Sequence, residues 1–132
     1  MALMFATNSR ARLSSVGLST ATLLNLLGLP LGEVTITAAT YQILTTDSFV
    51  YVSRAGIVTL TLPDAAAWLA EDAHGAPFQL IIQDVSGAAF TNNITINRAG
   101  SDTVNGLTSI TITSDYGGYK LRPAASGLWV IQ

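Results

Sequence analysis

From Glu33 to the C-terminus the chain carries a hydrophobic period of two. The runs VTIT, YQIL, FVYVS, IVTLTL, FQLIIQ, ITIN, TSITIT, GYKL and LWVI are short and rich in β-branched and aromatic residues, which suit a pleated, half-buried surface. Turn-forming pairs separate them, among them Asp47-Ser48, Ser86-Gly87, Asn92-Asn93, Asn105-Gly106, Gly117-Gly118 and Ser126-Gly127. No long helix is on offer for parallel crossovers. The expected fold is therefore all-β, an antiparallel sandwich or jelly-roll-like domain of short strands.

The stretch AGIVTLTLPDAAAW is the cleanest strand. Val58, Leu60 and Leu62 share one face and Thr59 and Thr61 the other, until Pro63, with no amide to donate, ends the ladder. Whether that Thr face meets solvent or another subunit is open from sequence. In PDAAAWLAEDAH, Pro63 at a first helical position, Asp64 near the positive end and three alanines predict a helical turn or two. Trp68 and Leu69 should fold back on the sheet, with Glu71 and Asp72 in water. The echo of VSRAG (52–56) in INRAG (96–100) places both Arg-Ala-Gly turns at one end of a sandwich.

Residues 1–32 read differently. Residues 1–18 have no clear period and form an extended arm; STATLLNLLGLP then reads as a short helix. Ser19 or Thr20 caps it, Leu23, Leu24, Leu26 and Leu27 supply apolar faces, and Gly28 and Pro30 stop it. So short a helix is marginal alone in water, so its leucines need the domain, a sister subunit or a host surface. A signal-peptide reading, with Arg10 and Arg12 basic and 16–29 apolar, is weakened by interrupting Ser, Thr and Asn and by the lack of a small-x-small cleavage site. The run is also too short and broken to span a bilayer. The expected organisation is an N-terminal arm and short helix over 1–32, for anchoring or trimerisation, and a β-sandwich domain over 33–132.

At 132 residues, the chain is 49% hydrophobic and only 11% charged, with a mean hydropathy of +0.46. That balance points to a surface of Thr, Ser, Asn and Gly, part of it buried against other chains. Net charge is −2 and the six basic residues are scattered, which argues against nucleic acid as a partner. Cysteine is absent, which removes disulfides and thiolate chemistry.

Candidate chemistry is thin. His74, the one histidine, has only Glu71 and Asp72 near in sequence, too few ligands for a metal site. Asp47, Asp64, Asp84, Asp102 and Asp115 stand at strand ends or turns, where carboxylates accept turn amides, and no pair is spaced for glycoside hydrolysis. GSDTVNG offers oxygen ligands without a dense acidic calcium pattern. There is no Gly-x-Ser-x-Gly elbow and no phosphate-binding glycine loop. The reading is no enzyme, no catalytic residues, no cofactor and no metal. Among the aromatics, Tyr51 and Trp129 lie in strands, where core packing is the common fate. Tyr116 and Tyr119, flanking Gly117-Gly118, are the candidates for contact with a glycan or receptor.

Two stretches, DSFVYVSRAGIVTLTLPDAA and NNITINRAGSDTVNGLTSITITSDYGGYKLRPAASGLWVIQ, resemble a β-domain recurrent in virion proteins of tailed bacteriophages. The matching elements are Leu62-Pro63-Asp64-Ala65, Asn93–Ile96, Gly100–Gly106, Tyr116-Gly117 and Trp129–Ile131, within 33–132. The resemblance implies a non-enzymatic homotrimer found in head fibres, capsid decoration or cement proteins, and tail fibres. Met1 suggests a natural start, and this length leaves no room for a shaft, tip and docking domain, which favours decoration of the capsid surface over the tail. Arg10, Arg12, Leu23, Leu24 and Leu27 are then the expected capsid or subunit contacts. The partners are further copies of the chain and the major capsid protein or other virion proteins, with no membrane. The alternative is a tail-fibre or spike module that binds a receptor or glycan.

Overall fold

The computed structural model describes residues 32–72 and 79–132. Within them the chain forms β1 (Glu33–Ile36), β2 (Thr40–Gln42), β3 (Phe49–Val52), β4 (Val58–Thr61), α1 (Ala65–Asp72), β5 (Leu80–Asp84), β6 (Ile94–Asn97), β7 (Thr103–Val104), β8 (Ser109–Ile112), β9 (Gly118–Ala125) and β10 (Leu128–Ile131). The period of two becomes burial directly. In β3, β4, β5, β6 and β8 every second residue is buried. Val50, Val52, Leu80, Ile82, Leu121 and Trp129 from one sheet meet Val58, Leu60, Ile94, Ile96 and Ile112 from the other in a single core.

The strands form a six-stranded sheet, β1-β3-β5-β9-β10-β7, and a four-stranded sheet, β2-β4-β6-β8. Both are mixed, which corrects the antiparallel expectation. β1, β3 and β5 run parallel, as do β2, β4 and β6. Parallel pairing needs a crossover of a dozen or more residues, usually a helix. Here each crossover runs through a strand of the opposite sheet, so the chain winds around the core as a coil. A helix is not required, and its absence from the sequence pattern was no guide to strand direction. After β6 the winding reverses: β8 pairs antiparallel with β6, and β9 antiparallel with β5 and β10.

The same register separates the two Arg-Ala-Gly turns. Residues 54–56 lead into the start of β4, while 98–100 follow the end of β6, and β4 and β6 are parallel. The echo therefore lies at opposite ends of the four-stranded sheet. Asn105-Gly106 does form the expected tight turn, with φ of 50° and 82° at the two positions, bridging Val104 to Leu107. The short β7 beside it carries no alternation and was not expected. Pro123 lies within β9, next to the register irregularity at Leu128/Trp129, where a missing amide is tolerated.

Helix α1 begins two residues later than Pro63. Asp64 is its cap, its Oδ1 accepting the Ala67 amide at 3.0 Å, and Pro63 precedes the helix. Asp102 Oδ2, from the turn before β7, accepts the first helical amide, Ala65, at 2.8 Å. Trp68 is buried and meets Trp129 edge to face at 5.2 Å, while Leu69 is half-buried and Glu71 exposed. The Trp129 indole N–H donates to the Pro63 carbonyl at 3.1 Å, so the chain just beyond β4 is tied to β10.

Candidate contact surfaces

The acidic residues of the turns are occupied by backbone. Asp84, buried at the end of β5, accepts Ser86 N and Oγ, Gly87 N, Ala88 N, Ala89 N and Tyr116 N at 2.7–3.2 Å. Burial pushes its carboxyl up, but the Ser86 hydroxyl and the Tyr116, Ala89 and Ser86 amides together outweigh burial and hold it below the ordinary value. Asp47 accepts the Tyr41 hydroxyl at 2.9 Å and the Leu44 amide at 2.8 Å. Burial, that hydrogen bond and the Asp47 charge push the Tyr41 phenol up to about 12. In GSDTVNG, Asp102 serves α1 and the Asn105 side chain accepts the Ile131 amide at 3.1 Å. Among the described residues no three His, Asp or Glu side chains converge as metal ligands would.

The Asp84 knot builds the first surface. It joins the turn after β5 to the turn after β8, and Tyr116 is held there with φ of 58°, an outlier for a bulky side chain. The Gln83 amide donates to the Tyr116 carbonyl. The Tyr116 ring lies over Gly87, where a Cβ would stand 2.5 Å from it and displace it, and the φ of 71° at this position favours glycine. Asp115 Oδ1 accepts the Phe90 amide at 2.9 Å. Two aromatic side chains result at this corner, Tyr116 67% and Phe90 76% exposed.

Tyr119 is not part of that corner. It points inward from β9, half-buried against the core, and its hydroxyl donates to the Thr111 carbonyl at 3.0 Å. The structure thus separates the two tyrosines paired by sequence and sets Phe90 beside Tyr116 instead. The signal for Phe90 was a large aromatic stranded among small residues in GAAFTNN, outside any alternating run.

The outer face of the six-stranded sheet is the second surface. Register aligns Glu33, Phe49, Ile81 and Lys120 in one row across β1, β3, β5 and β9, and Thr35, Tyr51, Gln83 and Gly118 in the next. Arg122 and Val130 pair alongside. Phe49 and Tyr51 stack at 6.3 Å. Tyr51 therefore lies outside the core, unlike Trp129, because its position in β3 alternates with Val50 and Val52.

The third surface is the outer face of the four-stranded sheet. Its rows are Thr40, Thr59, Thr95, Thr111 and Gln42, Thr61, Asn97, Ser109, with no charged side chain in either. A shallow open groove lined by Thr40, Tyr41, Gln42, Thr59 and Thr61 crosses it. Thr59 and Thr61 of β4 thus belong to a row-by-row array of hydroxyls and amides.

Arg10, Arg12, Leu23, Leu24, Leu27 and His74 lie outside the described residues. The chain matches no protein-family model and no curated protein.

Proposed function

We propose that this chain is a non-enzymatic structural protein of a phage virion, a homotrimeric capsid decoration, cement or head-fibre protein anchored through its N-terminal arm. The resemblance of 33–132 to virion β-domains motivates the reading, and one feature of the coil carries it. Among the described residues β1 and β2, the strands of the first winding, are each an edge of their sheet, and residues 1–31 precede β1 in the chain. Glu33, Thr35, Thr40 and Gln42 on these edges are exposed. An unpaired edge invites pairing with another chain. The opposite edges among the described residues are β7, parallel to β10, and β8, antiparallel to β6. Of these edges, β1 is the one that residues 1–31 lead into along the chain, which supports a contact made through that segment.

Co-sedimentation with shells of the major capsid protein of the same phage tests the reading. Full-length protein should pellet with the shells, and a variant lacking residues 1–18 should stay in the supernatant with its β-domain circular dichroism intact. Equal binding by both proteins would remove the anchoring role. The second reading, a tail-fibre or spike module for a receptor or glycan, is favoured by the Tyr116 and Phe90 corner. A glycan array signal lost in Tyr116→Ala and Phe90→Ala would replace the first reading with it.

A further inference from the structure

We infer that the outer face of the six-stranded sheet is one wall of a closed three-copy ring, in which Glu33 of each copy meets Lys120 of the next. The inference rests on the homotrimeric reading above and names its interface.

The two outer faces differ in chemistry. The four-stranded sheet presents hydroxyls and amides without a large anchor, whereas the six-stranded sheet presents Phe49, Tyr51, Ile81 and Arg122, the side-chain types that concentrate at protein contacts. Charge on the second face is sorted. Glu33 stands on edge strand β1, and Lys120 and Arg122 on β9, three strand steps or roughly 14 Å away. Glu33 and Lys120 are exposed, and neither side chain has an ionic partner among the described residues.

Opposite charges on opposite sides of one face suit a head-to-tail contact, which either closes into a ring or runs on as a filament. Wall width favours closure at three. Four strands, β1 to β9, span roughly 19 Å, so three such walls stand about 5.5 Å from their common axis, half the ~10 Å at which sheets pack face to face. Phe49, Tyr51 and Ile81, midway across the wall, then fill the axis. Four walls would stand roughly 10 Å off and leave a channel. A two-fold stack also opposes Glu33 to Lys120 but leaves the β1 edge bare, whereas the ring sets that edge against the neighbouring wall.

The test uses the full chain, which contains no cysteine, so introduced thiols react alone. The wild type should have a trimer's mass by light scattering. Glu33→Lys and Lys120→Glu should each weaken association at least about tenfold through like-charge contact, and the double exchange should restore it. In a Glu33→Cys/Lys120→Cys variant, oxidised glutathione should yield covalent species that stop at three chains. A monodisperse wild-type monomer, cross-linking that stops at two chains, or trimers indifferent to both charge reversals each overturn the ring. Far-UV circular dichroism confirms that the variants are folded; if the reversals unfold, the disulfide pattern alone decides. Trimers that ignore phage shells would leave the ring standing and remove the virion role, and shell binding by a monomer would do the reverse.

Discussion

Asp84 shows how much one side chain can organise. A carboxylate with backbone amides and a hydroxyl aimed at it is favoured in its charged form, and removing the charge leaves buried donors unmatched. Asp84→Asn should lower stability by about 2–3 kcal/mol in denaturant unfolding at neutral pH, because the amide turns two donors toward donors. The pH dependence follows from the sign of the shift. With the folded carboxyl below its ordinary 3.8, the stabilisation is whole above that value and is lost as pH falls through the lower folded value. The wild type should therefore lose stability on acidification below about pH 4, and Asp84→Asn should show a shallower acid limb. Equal limbs would mean that Asp84 does not hold the turns. The turn-binding habit of aspartate was legible in the sequence; that Asp84 also reaches Tyr116, thirty-two residues on, was not. Local amides are set by chain connectivity, whereas the Tyr116 amide arrives only once β9 has paired with β5.

At the scale of elements, strand positions followed from alternation and helix position was displaced. Pro63 is compatible with a first helical position, but Asp64 has the side chain that captures the Ala67 amide, so the helix starts after it. The first helical amide, Ala65, is met by Asp102 from a turn distant in sequence. Asp102→Ala should cost about 1–2 kcal/mol and raise amide exchange at Ala65 and the first turn of α1 above that of the strands. Uniform exchange across the chain would show that α1 does not depend on this contact. Alternation also placed Val58, Leu60 and Leu62 inward, as the structure has them. It was blind to β7, whose Thr103–Val104 is too short for any period to register.

The whole molecule is one cooperative unit if its two sheets share a core. Leu60 belongs to the four-stranded sheet and Trp129 to the six-stranded one, and both are fully buried in the same cluster. Leu60→Ala should cost about 2–4 kcal/mol and shift the tryptophan fluorescence transition and the far-UV transition together, at fixed chain concentration. A tryptophan transition that did not move would divide the sheets into separate units. Alone, the sequence determined a chain mainly of short strands, which residues of each face inward, where most turns fall, and that its aspartates serve those turns. These are short-range matters, decided by the geometry of neighbouring residues. The tertiary structure decided strand direction, the coil, the Tyr116 and Phe90 corner, and the sorting of Glu33 from Lys120 across four strands. Each depends on register between segments far apart in the chain, and an alternating run pairs equally well in either direction until its neighbours and crossovers are in place.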